Sequence, residues 1–450
     1  MFIDCSSSKE VTYRANLFGF DDREFYILMK FWVPNFSSNT IWSIAGGGVP
    51  ALAALGAIPA LIKLLGVDLF ALVSLILSLN LFFFVYDFGL TRSMHFFSPK
   101  SEYQQQDKVG QLIGSSILLA VFIASVVTLI IVLISPLFST NWLKLTGKDA
   151  SEVALAFQLA ALGIIPAVIS NVFKGVFEGK IQFKTANMAK MFSGFSLFVT
   201  PVVVAIFTSS LVIISISIML TRYISLMLYG YFLLRLAPIH TITLSNSILK
   251  KVVAYAFWAG ISGFFATLFI YGDRFIVSGY VSASELSVYM ASQDVLIRYL
   301  LIPWSIAIVL SPYFSNDNHK LEQLKIVYLK ALNSSSFFTI IFVIFAIILV
   351  TFILPIWIDA NFINLARQLN FILITGIVFA ALSQLPLIFL YAQGKARLLT
   401  IIFIFEGVGY IILAPIIFEM FGIIGAACVW SARLMIEFTF LNYFSQKLLR

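Results

Sequence analysis

Long apolar stretches separated by short polar connections make up most of this chain. Each is at least ~20 residues long, enough for a helix to cross a bilayer core of ~30 Å. The twelve stretches occupy residues 39–65, 69–90, 109–138, 152–173, 187–207, 210–234, 252–280, 286–312, 327–356, 365–391, 398–418 and 422–445. The pattern predicts an all-α polytopic membrane protein with 12 transmembrane helices.

The composition agrees with a membrane protein. Hydrophobic residues make up 60% of the chain and charged residues 11%, whereas soluble domains are about half apolar and a quarter charged. The net charge of +8 is explained by basic residues in short connections that face an anionic leaflet, so no nucleic-acid partner is predicted. Cys5 and Cys428 are expected at different levels of the structure, which predicts no disulfide, and neither has a metal-ligand spacing.

Basic residues are sorted between alternate connections. The two tails and the even-numbered connections hold 21 Lys and Arg residues, and the odd-numbered connections hold four. Because cytoplasmic loops are enriched in Lys and Arg, both termini are predicted to be cytoplasmic. Four further arginines lie inside the predicted spans.

An internal repeat is indicated by glycines that coincide when the chain is shifted by 213 residues. The matching pairs are Gly47 with Gly260, Gly66 with Gly279, Gly163 with Gly376, and Gly194 with Gly407. The shift corresponds to six spans, so the two copies have the same orientation, and such parallel repeats are typical of transporters. The predicted division is a cytoplasmic N-terminal tail at 1–38, a six-helix lobe at 39–236, a cytoplasmic linker at 237–251 and a second six-helix lobe at 252–450, with the parallel lobes around a central cavity.

The N-terminal tail has no continuous apolar core, so no cleavable signal peptide is predicted. Met29, followed by Lys30, is a candidate for the true start, and a genuine cytoplasmic tail is the alternative.

The short connections leave no room for a catalytic domain outside the membrane. The chain lacks a phosphate-binding loop, a His-Glu-x-x-His zinc motif and a Gly-x-Ser-x-Gly elbow. His95, His240 and His319 fall in or beside inner connections, where solvated side chains are expected. The chain is therefore predicted not to be an enzyme, and any energy must come from an ion gradient or from the substrate's own gradient.

The first span is rich in residues that weaken a straight helix. Gly46, Gly47, Gly48, Pro50 and Pro59 cluster there. Glycine and proline are common in membrane helices in any case, but this density predicts a helix that bends during a gating motion.

Charges inside the spans require a reason, because each costs at least ~2.5–3.5 kcal/mol at mid-bilayer. Arg298 lies near the centre of the eighth span, with Asp294 one helical turn away. Arg222 is central in the sixth span, which contains no acidic residue, so its expected partner is another helix or a substrate. Guanidinium groups bind phosphate or acidic sugars through paired hydrogen bonds.

Other buried charges occur in pairs. Arg433 and Glu437 are one turn apart in the twelfth span, Asp273 precedes Arg274 in the seventh, and Glu406 is central in the eleventh. The alternative to a transport role is that such pairs neutralise each other and hold helices together. Asp87, near the inner end of the second span, can equally organise the end of a helix.

Several segments resemble the polysaccharide flippases known as Wzx-type O-antigen translocases, of the MOP exporter superfamily. The similar segments are 58–72, 86–90, 272–279, the Gly-Lys turn at 394–395, and 421–427. The resemblance covers about residues 30–448, and the tail before Met29 departs from the family pattern.

The resemblance implies a MATE/MOP-like fold and a reaction class. Such proteins move undecaprenyl-pyrophosphate-linked oligosaccharide repeat units across the bacterial inner membrane, by alternating access, for O-antigen or capsular polysaccharide biosynthesis. The expected partners are this glycolipid, membrane lipids, and the polymerase and chain-length regulator of the pathway. No cofactor is expected, and a proton or sodium gradient is the candidate energy source.

On this basis we assign hypothetical roles in transport to the buried charged residues. The substrate-binding candidates are Arg298, Arg222, Arg274 and Arg433, and the coupling candidates are Asp294, Asp273, Glu406 and Asp87.

Three rival functions stay open. A cation-coupled multidrug exporter of the same superfamily would prefer acidic residues in the cavity. A membrane glycan polymerase usually contains a large outer loop that takes part in its chemistry. A lipid II flippase generally has two additional helices.

Overall fold

The structure, a computed structural model, describes residues 22–81, 87–142, 147–236, 242–271, 273–348 and 363–450. Within these ranges it does not describe the side chains of 22–37, 67, 68, 71, 78–81, 142, 147, 148, 270, 271, 275, 283, 284, 287, 291 and 363. These ranges are helical apart from short turns, so the expected all-α fold is confirmed. The predicted tail at 1–38 and linker at 237–251 lie partly outside the described residues.

The helices are numbered here in chain order. The first half of the chain contains α1 Asp22–Leu81, α2 Leu90–Phe97, α3 Gln106–Leu137, α4 Gly147–Leu162, α5 Ile164–Gly179, α6 Phe183–Phe207 and α7 Leu211–Leu236. The second half contains α8 Asn246–Tyr271, α9 Asp273–Val277, α10 Ala283–Ile297, α11 Leu301–Ser315, α12 Leu321–Ile348, α13 Ile363–Ala392 and α14 Ala396–Leu448.

Ten described stretches are long and apolar enough to cross a membrane. One of them, Ala396–Leu448, contains both the eleventh and the twelfth predicted stretches. The second predicted stretch includes residues 82–86, which lie outside the described ranges. The count of twelve crossings therefore stays a prediction.

The last helix folds back on itself at Gly422. Its φ of 55° and ψ of −138° interrupt the helix there. Arg433 Nη1 lies 3.6 Å from Glu406 Oε2, whereas a straight helix would place these residues about 40 Å apart. The two arms of α14 are therefore antiparallel. Gly66, with φ of 78°, interrupts α1 in the same way.

At one end of the molecule each half has its own hydrophobic cluster. At the other end one cluster contains residues of both halves. The first half has a cluster around Phe157, and the second half has one around Phe418. A further cluster joins the halves and contains Leu90 together with Ala259 and Leu399. The halves are therefore packed together at the end where α2 and the start of α8 lie.

Polar contacts at this end also join the halves. The Ser101 backbone N–H and Oγ donate to the Asp317 carboxylate over 3.0 and 2.9 Å, and Lys251 Nζ lies 3.1 Å from Glu102 Oε1. The Ser101 N–H stabilises the charged carboxylate and lowers the pKa of Asp317. We call these four residues the junction.

Small residues allow close helix crossings between the halves. Gly89 has φ of 77°, and a Cβ there would lie 2.6 Å from both Ala256 O and Gly260 N. A Cβ at Gly47 would lie 2.6 Å from Leu301 Cδ1. Gly47 and Gly260, which the repeat relates, thus each meet the opposite half, Gly47 at α11 and Gly260 at the turn before α2. The division into two lobes stays a prediction, and these contacts agree with it.

The glycine- and proline-rich part of α1 is an unbroken helix between Gly46 and Pro59. Gly46 packs against the Asn187 side chain, and Pro50 packs against Gly194. In this conformation the small residues bring α1 close to α6. The gating role of this cluster stays a prediction.

Candidate functional site

A cavity of about 310 Å³ lies near the end where the halves meet. Helices α1, α2, α5, α6 and α7 of the first half supply most of its wall. Trp304 and Ile308 of α11, with Ile388 and Tyr391 of α13, close it from the second half. The cavity is therefore bounded by both halves, and its opening depends on how they pack.

Charged side chains in the wall are predominantly basic. They are Asp87, Arg92, Lys174, Glu178, Lys190 and Arg222. Four basic groups thus face two acidic ones, which leaves an excess of two positive charges before any ligand is considered.

Both acidic groups have partners in the wall. Asp87 accepts hydrogen bonds from the Thr91 backbone N–H at 3.1 Å and from Thr91 Oγ1 at 3.0 Å. Glu178 Oε2 lies 2.8 Å from His95 Nε2, and its other oxygen lies 4.0 Å from Lys174 Nζ. These interactions stabilise the carboxylates, and the excess of two basic side chains leaves the cavity with a positive field.

Arg222 and Lys190 are the basic groups best placed to act on a ligand. Arg222 is buried, and its Nη1 donates to Ser193 Oγ over 3.3 Å. Lys190 lies one turn before Ser193 on α6, and no hydrogen bond or ion pair joins it to another residue of the described ranges. Ser225 adds a hydroxyl group to the wall. Two cations beside hydroxyl groups form an anion-binding arrangement.

Arg92 has a different environment. Its Nη1 donates to Ala259 O over 3.2 Å, and its guanidinium lies 5.0 Å from the centre of the Tyr391 ring. Both partners belong to the second half, so Arg92 holds the closing wall in place.

Lys174, Lys190 and His95 are site residues that the sequence analysis missed. Lys174 was assigned to an inner connection because the apolar stretch ends at 173. Lys190 was counted with the same connection because it lies at the start of the next stretch, which begins at 187. In the structure α5 continues to Gly179 and α6 starts at Phe183, so both lysines are helical and line the cavity. The prediction of a solvated His95 is wrong, since this side chain is buried against Glu178. The i, i+4 spacing of Lys174 and Glu178 was the signal available in the sequence.

Arg298 lies outside this cavity. Its expected neighbour Asp294 pairs instead with Arg274, at 2.6 Å between Nη2 and Oδ1. Arg298 is exposed and shares a helix face with Leu301 and Ser305, which both contact α1. Arg298 is therefore exposed on the side that meets the first half, one turn before Leu301, and it does not join Arg222 in the wall of the cavity.

Asp273 is the centre of a separate buried network. It accepts hydrogen bonds from the Tyr289 hydroxyl at 2.7 Å and from Gln293 Nε2 at 3.0 Å. Arg274 Nε donates to Gln293 Oε1 over 3.2 Å. The network joins α9 to α10, which is a structural role.

Arg433 connects the two arms of α14. It lies 3.0 Å from Glu437 Oε2 and 3.6 Å from Glu406 Oε2, and its guanidinium lies 4.7 Å from the centre of the Phe269 ring. The sequence predicted the pair of Arg433 and Glu437. It did not predict that Glu406 also contacts Arg433.

A comparison of sequences identifies the family. The profile described as polysaccharide biosynthesis protein matches residues 36–316, more than half of the chain. The chain belongs to this family. A putative O-antigen transporter from Shigella flexneri is 25% identical over 408 residues, which are 90% of this chain and 96% of that protein. The resemblance to O-antigen translocases is thus confirmed.

Solved structures show the fold of this chain. An outward-facing multidrug resistance MATE transporter of the MOP superfamily matches with a TM-score of 0.75 and 14% identity, over 92% of this chain and 95% of that one. A MOP superfamily transporter from Pyrococcus furiosus, described as having a binding pocket of reverse polarity, matches with a TM-score of 0.75 and 14% identity, over 92% and 96%. The predicted MATE/MOP-like fold is confirmed.

Proposed function

We propose that this protein is a flippase for undecaprenyl-pyrophosphate-linked oligosaccharide repeat units. It moves them across the bacterial inner membrane for O-antigen or capsular polysaccharide biosynthesis. The family membership and the putative O-antigen transporter from Shigella flexneri support transport of a glycan. The pyrophosphate is the part of such a glycolipid that every repeat unit shares.

The observation that carries the proposal is the charge of the cavity. Lys190 and Arg222 supply positive charge where both carboxylates already have partners. Charge-assisted hydrogen bonds to phosphate are roughly twice as strong as neutral ones, and they strengthen in an interior of low dielectric constant. A volume of about 310 Å³ suits a pyrophosphate and an adjoining sugar, with the rest of the glycan towards the space that Arg298 faces.

The same charge argues against a carrier of cationic drugs, since four basic side chains repel such a substrate. The Pyrococcus furiosus transporter of the same fold, with its pocket of reverse polarity, supports the idea that pocket charge separates functions within this superfamily.

The proposed cycle is alternating access. With both termini in the cytoplasm, as the sorting of basic residues predicts, the junction lies at the inner face and the described conformation is closed there. Arg298 then faces the side open to the outside, where the glycan leaves. Arg274 and Arg433, which bind carboxylates, hold helices together in this proposal.

Export of surface polysaccharide tests the proposal in cells that lack the native gene product. We expect Lys190→Gln and Arg222→Gln each to lower export about tenfold or more, and the double variant to abolish it, because losing one charged hydrogen bond costs ~1.5–3 kcal/mol. Surface polymer is measured at matched protein levels.

Matched controls lie on the same helices. Lys184→Gln on α6 and Arg235→Gln on α7 remove exposed basic groups outside the cavity wall, and both should leave export unchanged. Full export by the double cavity variant, or gained sensitivity to cationic drugs on deleting the protein, would contradict the proposal.

A further inference from the structure

Two carboxylates in the second half share a single guanidinium group. Glu437 is the closer partner of Arg433, and Glu406 approaches the same Nη1 atom from the other arm of α14. Neither glutamate lines the basic cavity. The cluster is therefore a separate site within the second half.

Burial makes the charge of this cluster costly. The side chain of Glu406 is 3% exposed, and that of Arg433 is 7% exposed. No residue in the described ranges donates a hydrogen bond to either carboxylate oxygen of Glu406. With both glutamates ionised the cluster carries a net charge of −1, and a buried net charge is strongly unfavourable. Because arginine does not deprotonate in proteins, a proton on one glutamate is the simplest way to neutrality.

The Tyr410 hydroxyl also favours a protonated glutamate. The Tyr410 hydroxyl is buried and has no hydrogen-bond partner among the described residues. Tyr410 follows Glu406 by four residues, so the two side chains lie on one face of α14. A protonated Glu406 would offer this face both a donor and an acceptor, whereas an ionised one offers acceptors alone.

Other helices packed around the cluster contribute few ionisable groups. α8 contributes the Phe269 ring, which stacks against Arg433. α13 contributes Gly376, which packs against Trp430 and Ser431. The acidic group of α9, Asp273, accepts hydrogen bonds from Tyr289 and Gln293.

We infer that Glu406 and Glu437 together hold one exchangeable proton beneath Arg433. The ligand of this site is a proton rather than a sodium ion, because the guanidinium already occupies the space between the carboxylates and repels a second cation. Release of the proton leaves a net negative charge and favours a rearrangement of the arms of α14. A coupling of this step to glycan transport rests on the proposed function.

Labelling with a hydrophobic carbodiimide tests the site in the intact protein. The reagent modifies protonated carboxyl groups inside membranes. We expect mass spectrometry of the purified protein in lipid nanodiscs to find the modification on Glu406 or Glu437, with a yield that falls as the pH rises. Exposed Glu419, on the same helix, serves as the control and should stay unmodified. Absence of modification at both glutamates at every pH would overturn the inference.

Infrared difference spectra across the same pH range give a second measurement. The wild-type protein should show a protonated-carboxyl band that disappears with rising pH, and Glu406→Gln or Glu437→Gln should remove or shift it. Glu419→Gln should leave it in place. Persistence of an unchanged band in both site variants, or a response to sodium at constant pH, would contradict a proton site. These measurements need no transport substrate, so they stand apart from the outcome of the export assay.

Discussion

Asp87 illustrates how a single carboxylate is stabilised within this bundle. Its oxygens accept from the backbone N–H and the hydroxyl of Thr91, in the first turn of α2. An aspartate in such a position satisfies a helix N–H that would otherwise have no acceptor. This arrangement favours the helix-end role over the coupling role for Asp87.

Substitution of Asp87 separates the two roles. Asparagine retains an acceptor for Thr91, so Asp87→Asn should preserve both the melting temperature and polysaccharide export. Asp87→Ala should lower stability by ~1 kcal/mol, measured as thermal unfolding in detergent. A stable Asp87→Asn protein that fails to export would show that the charge itself is needed.

Residue pairing was predicted only where the partners share a helix. The sequence identified Arg433 with Glu437, because four residues separate them. It placed Asp294 beside Arg298 for the same reason, and the structure pairs Asp294 with Arg274 of another helix. Contacts such as Glu406 with Arg433 depend on how helices pack, which spacing alone does not reveal.

At the scale of elements, a positive φ decides where α14 turns. The backbone of Gly422 has φ of 55° and ψ of −138°, a combination available almost only to glycine. The turn brings the two arms together and thereby places Arg433 beside Glu406.

Gly422→Ala should therefore destabilise the protein by ~1–3 kcal/mol, because the new side chain strains this backbone conformation. Gly409→Ala, on the same helix with open space around it, is the control and should be neutral. Thermal unfolding and gel-filtration profiles of the purified proteins provide the comparison. Equal stability of the two variants would show that the turn does not need glycine.

Element boundaries were the weaker part of the sequence prediction. Apolar stretches located the membrane helices, but they ended too early in α5 and began too late in α6. Lys174 faces a polar cavity rather than lipid, so α5 continues through a residue that hydropathy assigns to a connection. Hydropathy alone does not separate a cavity wall from a loop, and Lys174 was missed for that reason.

For the whole molecule, the junction fixes how the two halves pack. Its contacts connect the turn after α2 with α8 and with the turn after α11. If the halves rearrange during transport, these contacts must separate.

A short thiol-reactive linker that contains a disulfide bond, placed between Ser101→Cys and Asp317→Cys, should therefore stop export. A reducing agent cleaves the disulfide and should restore export. The background has Cys5 and Cys428 replaced by serine. A linker between Gln104→Cys and Lys180→Cys joins two residues of the first half and should leave export intact, since their side chains already lie 3.1 Å apart. Export through a fully linked junction would contradict alternating access.

The junction should also be insensitive to pH near neutrality. Because the pKa of Asp317 lies below its ordinary value of 3.8, its stabilising contribution is complete above that value and is lost as the pH falls through the lowered pKa. We expect the difference in melting temperature between the wild-type protein and Asp317→Asn to stay constant between about pH 6 and about pH 8. A change within this range would require another titrating group in the closed contact.

Translocation of a lipid-linked glycan in proteoliposomes tests the central claim most directly. Purified protein is reconstituted with an undecaprenyl-pyrophosphate-linked oligosaccharide, and the fraction that an external lectin can reach is followed over time. The account predicts transfer faster than in protein-free liposomes and a return to that background rate in the Lys190→Gln/Arg222→Gln protein. Equal rates with and without the wild-type protein, or undiminished transfer by the double variant, would contradict it.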